Sequence, residues 1–332
     1  MKKFFVACIC ATILFCVEAE KVFAERTTPI VQAAQNIRPS VVAIKNKKVT
    51  KDLFNRQIEM EGIGSGIIFR SDGYIVTCTN AVENATELSA ILSDGKKFSA
   101  ELVGKDETTG IAVIKIDAEN LPVAKFGNSD EIMIGESVVA IGNSGVNLQG
   151  SLSTGIVSGL NRTLDNDKAG LIQMNLALNP GDSGSALVNY DSEVIGMNSW
   201  KLTTQGTEGI TFAIPINQVK AIAEELIAKG YISRPHLGIT MFDKQIALSY
   251  GYQLNIDSGV YVFQIQENGS ADKAGLKRGD IILSLDDKEV NLVEEVRAVV
   301  ATKKVGDKVK IRYLRDDKEN IFEVILEEAP HQ

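Results

Sequence analysis

The sequence predicts a mostly β protein that contains two globular domains. Its 332 residues are 44% hydrophobic and include 28 glycines but only 7 prolines, which is typical of folded domains rather than of disordered or fibrous chains. From Val41 to Trp200, short runs of β-forming residues are separated by glycine, asparagine and aspartate. Because no helical pattern interrupts these runs, they predict a sandwich or a barrel. The runs are 41–44, 66–69, 74–77, 111–116, 138–141 and 194–197.

The first 24 residues have the pattern of a secretory signal peptide. Lys2 and Lys3 precede an apolar run over residues 4–17, and residues 22–24 are acceptable at a cleavage site. The alternative is an uncleaved membrane anchor, but this 14-residue run is shorter than the roughly 20 residues that span a bilayer. We therefore expect residues 1–24 to be removed, and an exported mature protein without a stable membrane span.

Cysteine and histidine are scarce in the chain. Three of the four cysteines lie in the leader, so Cys78 alone would remain and no internal disulfide can form. A lone cysteine without a neighbouring histidine is more often a small buried residue than a catalytic thiol. The only histidines are His236 and His331, which excludes a typical zinc site. We expect no cofactor and assign no metal ligand, although a calcium site built from oxygen ligands stays open.

The charge of the chain bears on its partners. The formal net charge is −8 and becomes −9 without the leader, which carries one more positive than negative side chain. An acidic surface repels phosphate backbones, so the sequence argues against nucleic acid as a partner. The one basic cluster, at residues 45–51, is predicted to be a solvated loop.

A helix and a proline mark the end of the first domain. Asn217 is predicted to cap a helix whose apolar residues share one face, and Gly230 follows its end. Arg234-Pro235 then predicts a boundary, since the residue before proline avoids helical geometry. Four strand-like runs and a helical segment follow, which predict a small α+β or partly open barrel domain. The runs are 259–263, 281–285, 308–313 and 322–326, and the helical segment is 293–301.

Ser183 lies in a tight glycine turn, as the nucleophile of a serine protease does. The turn reads Gly181-Asp182-Ser183-Gly184, and the backbone N–H groups of Gly181 and Ser183 could stabilise a developing oxyanion. A serine hydroxyl is a weak nucleophile, so acyl transfer needs a neighbouring base. With no histidine in the first domain, Ser183 has no evident base. The alternative is an ordinary turn, because Asp-Ser-Gly is also common in hairpins.

Several motifs, in order and spacing, resemble the HtrA/Deg family of exported trypsin-like serine proteases with a C-terminal PDZ domain. The resemblance runs from about Pro29 to Leu326. It implies two six-stranded β-barrels over residues 25–231 and a PDZ domain over 235–328. The PDZ domain is expected to be a small β-barrel with two helices. The resemblance also implies a place in the periplasm or cell envelope. The motifs are at 64–68, 72–77, 111–116, 140–143, 154–158, 179–184 and 212–216.

Two positions of the catalytic triad that the resemblance implies are changed. The family histidine stands at the third residue after Thr77, where this chain has Asn80, and the family aspartate directly precedes the strand at 111–116, where it has Gly110. A shifted alignment does not restore the histidine, because none occurs before His236. Neither Asn80 nor Gly110 can act as a base, so Ser183 is interpreted as a vestigial nucleophile.

Loss of the base decides how much activity is expected. In a well-studied serine protease, removing the histidine lowers turnover by about 10⁶-fold. The remaining enzyme still accelerates the reaction by roughly 10³- to 10⁴-fold over the rate in water. A lysine in a Ser-Lys arrangement stays open as a replacement base, although no motif places a lysine beside Ser183.

The second domain keeps a segment that resembles the carboxylate-binding loop of the family. Residues His236, Leu237, Gly238 and Ile239 would present backbone N–H groups to a chain terminus, and a strand edge would pair with the extended ligand. His236 is expected at the mouth of this groove rather than in catalysis. The alternative is that the first domain covers the edge.

Three functions follow from these observations. The favoured one is an exported HtrA-like pseudoprotease that binds unfolded chains or peptide C-termini in protein quality control. The second is a serine endopeptidase that acts through Ser183 with a non-standard base. The third is a regulatory subunit of an active paralogue, because the resemblance implies a trimer, either of identical subunits or mixed with active relatives.

Overall fold

A computed structural model of the chain describes residues 27–51, 55–143, 148–164, 168–201 and 209–329. The chain divides into two compact units, Met1–Tyr231 and Ile232–Gln332. The predicted signal peptide lies outside the described residues. No helix in the described ranges is both long enough and apolar enough to cross a bilayer.

The first barrel of the first unit is a closed antiparallel sheet. Its inner face is lined by branched apolar side chains, among them Ile44, Ile75 and Ile114, each fully buried. Its strands are β1 (Val41–Lys51), β2 (Gln57–Ile68), β3 (Tyr74–Cys78), β4 (Glu87–Ile91), β5 (Lys97–Asp106) and β6 (Ile111–Ile116). They close in the order β1-β2-β3-β6-β5-β4, so the expected six-stranded barrel is confirmed.

The second barrel has the same number of strands and its own core. Val138, Ile172 and Leu187 are buried inside it, with Met174. Its strands are β7 (Ser137–Asn143), β8 (Gln149–Leu164), β9 (Lys168–Met174), β10 (Ala186–Val188), β11 (Val194–Lys201) and β12 (Thr211–Pro215). They close in the order β10-β11-β12-β9-β8-β7.

Helices close and connect the barrels of the first unit. They are α1 (Pro29–Ile37), α2 (Thr79–Val82) and α3 (Ile216–Lys229). The helix α3 begins one residue before Asn217, with Pro215 at the N-cap, so the predicted cap at Asn217 is wrong. Its end is confirmed, because Gly230 adopts φ +84° and its N–H donates to the Leu226 carbonyl.

The basic cluster at residues 45–51 is not a loop. It forms the outer half of β1, which pairs with β2 from Val41↔Ile67 to Lys51↔Gln57. The loop prediction was wrong because an exposed strand carries the same charged side chains as a solvated loop.

The second unit folds around a separate core that includes Val260, Val296 and Ile311. One sheet joins β14 (Ile239–Phe242), β15 (Val260–Ile265), β16 (Ile281–Leu285), β18 (Lys308–Arg315) and β19 (Lys318–Ile325) in that order, and β17 (Lys288–Glu289) pairs with β16. A short sheet pairs β13 (Pro235–His236) with β20 (Glu327–Glu328). The helices are α4 (Lys244–Ser249), the single turn α5 (Ser270–Lys273) and α6 (Val293–Ala301).

Candidate active site

Ser183 directly follows a short 3₁₀ turn, Pro180–Asp182, and lies shortly before β10. Asp182 is buried, and its carboxylate accepts a hydrogen bond from the Asn179 N–H at 2.8 Å. This contact closes the turn on itself, as a capping box does. The sequence Asn-Pro-Gly-Asp-Ser therefore fixes the backbone at Ser183 locally.

Ser65 of β2 holds this turn against the first barrel. Its N–H donates to the Ser183 carbonyl at 2.8 Å, and its hydroxyl donates to the Gly181 carbonyl at 2.8 Å. The same hydroxyl accepts from the Asn143 N–H at 2.8 Å. Ser65 thus ties β2 to the Ser183 turn and to β7. Sequence analysis missed this role, although Ser65 stood in one of the motifs that carried the resemblance.

Gly184 is required by the close approach of the two barrels. It adopts φ +86°, and a Cβ there would lie 2.2 Å from the Ser65 carbonyl oxygen and 2.6 Å from Thr77 Oγ1. Its N–H donates to the Asn198 carbonyl at 2.7 Å. No other residue type fits this position without movement of β2.

The hydroxyl of Ser183 has no acceptor for its proton within the described ranges of the chain. Ser183 Oγ is shielded from solvent and has no hydrogen-bond partner among the residues that the structure describes. The Ser183 N–H, one of the two expected oxyanion donors, is directed at the Pro180 carbonyl at 3.4 Å. The described part of the chain thus places no base beside the hydroxyl, and it turns the Ser183 N–H toward the Pro180 carbonyl.

The two positions that the resemblance aligns with the family histidine and aspartate lie in neighbouring segments of the fold. Asn80 lies exposed in α2, and Gly110 is buried directly before β6. The N–H of Thr79, next to Asn80, donates to the Gly110 carbonyl at 2.9 Å. Gly110 adopts φ +78°, a region that favours glycine. The fold therefore brings together the positions that sequence analysis singled out, but supplies no titratable side chain at either.

Behind the turn lies a buried polar cluster of Ser185, Asn198 and Cys78. Asn198 Nδ2 donates to Ser185 Oγ at 2.9 Å, and Cys78 Sγ donates to the Asn198 carbonyl at 3.5 Å. All three residues are buried, which confirms the prediction that Cys78 is an interior residue. These contacts support the turn from inside and are not open to a substrate.

The expected peptide-binding loop lies between β13 and β14 in the second unit. His236 Nδ1 is 3.2 Å from the Glu327 carbonyl oxygen, and His236 Nε2 is 3.2 Å from Gln266 Oε1. Leu237 is buried in the core, while Gly238 adopts φ +71° and turns the chain into Ile239. The strand β14 that follows pairs only with β15, so its other edge carries no strand among the described residues.

The described residues contain no group of three or more His, Cys, Asp or Glu side chains arranged to hold a metal ion.

Comparison with known proteins agrees with this architecture. The model of the trypsin-like peptidase domain matches residues 64–197, and that of the PDZ domain matches residues 235–326. The chain is 37% identical to the serine protease Do-like HtrA of Bacillus subtilis strain 168, over 92% of this chain and 74% of that protein. It is 40% identical to the probable periplasmic serine endoprotease DegP-like of Rickettsia conorii, over 77% of this chain and 52% of that protein.

Solved structures show the same fold. An HtrA-type protease, AlgW with decapeptide, superposes with a TM-score of 0.75 at 29% identity, covering 92% of this chain and all of its own chain. A serine endoprotease from Yersinia pestis gives a TM-score of 0.72 at 31% identity, covering 92% of this chain and 99% of its own. With its two closed barrels, its PDZ domain and these relatives, the chain belongs to the HtrA/DegP-like family of serine proteases.

Proposed function

We propose that this chain is an exported pseudoprotease of the family that binds unfolded polypeptides and peptide C-termini without cleaving them efficiently. The observation that carries the proposal is the isolation of Ser183 Oγ, which has no hydrogen-bond partner in the described part of the chain. A hydroxyl without a base is a poor nucleophile at neutral pH. The periplasmic relatives support a place in the periplasm or cell envelope.

The expected loss of turnover favours a binding protein over a slow enzyme. Without the histidine, a serine protease loses about 10⁶ in turnover. The remaining acceleration comes from the oxyanion donors and from substrate binding, and here the Ser183 N–H is directed at Pro180. Polypeptide binding is then the activity that we expect the first unit to retain.

The second unit supports capture of peptides. The strand β14 offers an unpaired edge next to the loop at residues 236–239, and an extended peptide can add to such an edge as a further strand. A structural relative was solved with a decapeptide. We assign the backbone N–H groups of Leu237, Gly238 and Ile239 to ligand binding, with the Leu237 side chain in the core, and His236 to the mouth of the loop.

The test uses the full-length protein, casein, and a fluorescent peptide with an apolar C-terminus. We expect the peptide to bind and its C-terminally amidated form to bind at least tenfold more weakly, while casein stays intact at high protein concentration. Ser183→Ala should change neither result. Casein cleavage that Ser183→Ala abolishes would overturn the inactive assignment, and equal binding of the amidated peptide would overturn the assignment of the loop.

The second candidate is a serine endopeptidase with a replacement base. The retained Gly181 to Ser183 turn and the serine proteases among the relatives favour it. It requires a titratable side chain that reaches Ser183 Oγ when substrate binds. Cleavage that depends on Ser183 and on one identifiable lysine would support this candidate.

Assembly into a homotrimer, or a mixed trimer that regulates an active relative, is a further part of the proposal. Light scattering of the purified protein would show a threefold mass for the homotrimer. A purified monomer that also fails to associate with an active relative would contradict both assemblies.

A further inference from the structure

The strands β1 and β2 extend beyond the first barrel as a two-stranded ribbon. Pairing of β1 with β4 ends at Lys47↔Glu87, and pairing of β2 with β3 begins only at Gly66↔Thr77. Residues 48–51 therefore pair only with residues 57–60, and residues 61–63 pair only with residues 45–47 of β1, which also pair with β4. An isolated two-stranded hairpin is marginally stable in water, so a third strand would stabilise this ribbon.

One edge of the ribbon is open along β2. The Ser65 N–H donates to Ser183 and the Ser65 carbonyl accepts from Thr77 Oγ1, so the polar backbone groups of Ser65 face away from β1. Backbone groups alternate along a strand, so those of Gln57, Glu59, Glu61 and Ile63 face the same way. Within the described part of the chain, no strand pairs with them on that side. We call this row of backbone groups the β2 edge.

The two faces of the ribbon beside the β2 edge differ in chemistry. Glu59 and Glu61 lie on one face, both exposed, and neither forms an ion pair with another described residue. Ile58 and Met60 lie on the opposite face, and they are 40% and 55% exposed. Lys47, across from Glu61, forms an ion pair with Glu87 at 2.8 Å, and the charges of Glu59 and Glu61 also act on it. The side chains of β2 therefore present carboxylates on one side and apolar groups on the other, with Lys48 and Thr50 of β1 across from Met60 and Ile58.

We propose that the β2 edge binds an extended polypeptide strand in which basic and apolar residues alternate. Only an extended backbone can match donors and acceptors that recur at every second residue. Its basic side chains would lie beside Glu59 and Glu61, and its apolar side chains beside Ile58 and Met60, as cross-strand neighbours do in a sheet.

The position of the β2 edge links it to the Ser183 turn. At Ser65 the place of a partner strand is taken by the Ser183 carbonyl, at 2.8 Å from the Ser65 N–H. A strand added along residues 57–63 therefore ends at Ser183. This inference extends the proposed function by naming a second binding site and its ligand. It does not depend on binding of C-termini by the second unit.

The experiment measures fluorescence anisotropy of blocked ten-residue peptides with the full-length protein. The peptides are an alternating Lys–Ile sequence, a scrambled sequence of the same composition, and an alternating Glu–Ile sequence. All are acetylated and amidated, so a site that requires a free carboxylate does not take them. We expect the alternating Lys–Ile peptide to bind at least tenfold more tightly than the other two.

Two variants test the edge, and a third is the matched control. Glu59→Lys/Glu61→Lys should weaken Lys–Ile binding at least tenfold and create binding of the Glu–Ile peptide. Glu59→Pro removes an outward N–H and leaves the β1–β2 ladder intact, so it should also weaken binding at least tenfold. Glu119→Lys/Glu267→Lys changes the net charge equally outside the ribbon and should leave binding unchanged.

Three results would overturn the inference. The first is equal binding of the alternating and scrambled Lys–Ile peptides, which would indicate attraction to charge alone. The second is unchanged binding by Glu59→Pro in a protein whose melting temperature is unchanged. The third is a concentration-dependent dimer of the free protein that Glu59→Pro abolishes, which would assign the β2 edge to a second copy of the chain. Each of these results would leave the casein and C-terminal peptide experiments unaffected. The inference about the β2 edge and the proposed function can therefore fail independently.

Discussion

At Ser183 the contacts of the turn fix the backbone, while the hydroxyl has no hydrogen-bond partner among the described residues. The turn is held by Asp182 and by Ser65, and neither contact involves the hydroxyl of Ser183. The fold therefore needs the shape of the turn whether or not the chain cleaves peptides. This explains why a serine in a glycine turn is weak evidence for catalysis.

Gly184→Ala tests the close approach at the turn. We expect a loss of about 2–4 kcal/mol in the free energy of unfolding, because the new Cβ combines backbone strain with a contact that forces β2 to move. Urea unfolding measures the change.

Gly95→Ala is the matched control for that substitution. Gly95 has the same φ of +86°, but a Cβ there would meet nothing within 4 Å. It should cost only the backbone strain, about 1 kcal/mol. Equal losses for the two variants would contradict the steric role of Gly184.

The sequence predicted which residues occupy the candidate site better than it predicted the contacts that these residues form. Asn80 and Gly110 were placed by short motifs, and the fold brings their segments together through Thr79. The bond from Ser65 to Gly181 joins residues 116 positions apart in the chain. The contact between Ser183 and Pro180 depends on the orientation of one peptide group. Neither the Ser65–Gly181 bond nor the Ser183–Pro180 contact can be recognised from a local sequence pattern.

Among the elements, strands that are buried on one or both faces were predicted best. The run at 111–116 coincides with β6, and that at 281–285 coincides with β16. The exposed halves of β1 and β2 were missed, because lysine and glutamate do not distinguish a solvated strand from a loop. The cap of α3 was misplaced because Pro215 precedes the helix and fixes its start.

Asp280 supports the start of β16 in the second unit. It is 1% exposed, and its carboxylate accepts from Arg315 Nε at 2.6 Å and from the Lys277 N–H at 2.7 Å. Hydrogen bonding to Asp280 also raises the pKa of Arg315 above its usual value. Asp280→Asn should lower the free energy of unfolding of this unit by about 2–3 kcal/mol, because it leaves Arg315 without its charged partner.

Asp287→Asn provides the comparison for Asp280→Asn. Asp287 pairs with Lys310 at 2.9 Å, but its side chain is 80% exposed. An exposed ion pair contributes at most about 1 kcal/mol. Urea unfolding of both variants measures the difference, and a loss for Asp287→Asn as large as that for Asp280→Asn would contradict the importance of burial.

For the whole molecule, the separate cores predict independent folding of the second unit. Its buried cluster runs from Leu237 to Leu326, and every described member of that cluster belongs to the second unit. A fragment of residues 232–329 should therefore give a circular dichroism spectrum of folded β structure and a cooperative melting transition. A fragment that melts without a transition would show that its stability requires the first unit.

The architecture of the whole chain was accessible from sequence because motifs spread over most of its length agree in order. Single motifs such as 181–184 fit an ordinary turn as well as a protease. The open edge of β2 was not accessible, since it depends on where β3 and β4 stop pairing with their neighbours. Function at this scale rests on whether the Ser183 proton has an acceptor.

Labelling with a fluorophosphonate probe tests that point most directly. The probe reacts with an activated serine, and mass spectrometry of the intact protein and its peptides locates the adduct. Under conditions that fully label an ordinary trypsin-like enzyme, we predict no adduct on Ser183. An adduct on Ser183 at a comparable rate, absent from Ser183→Ala, would contradict the account and establish that a base reaches the hydroxyl.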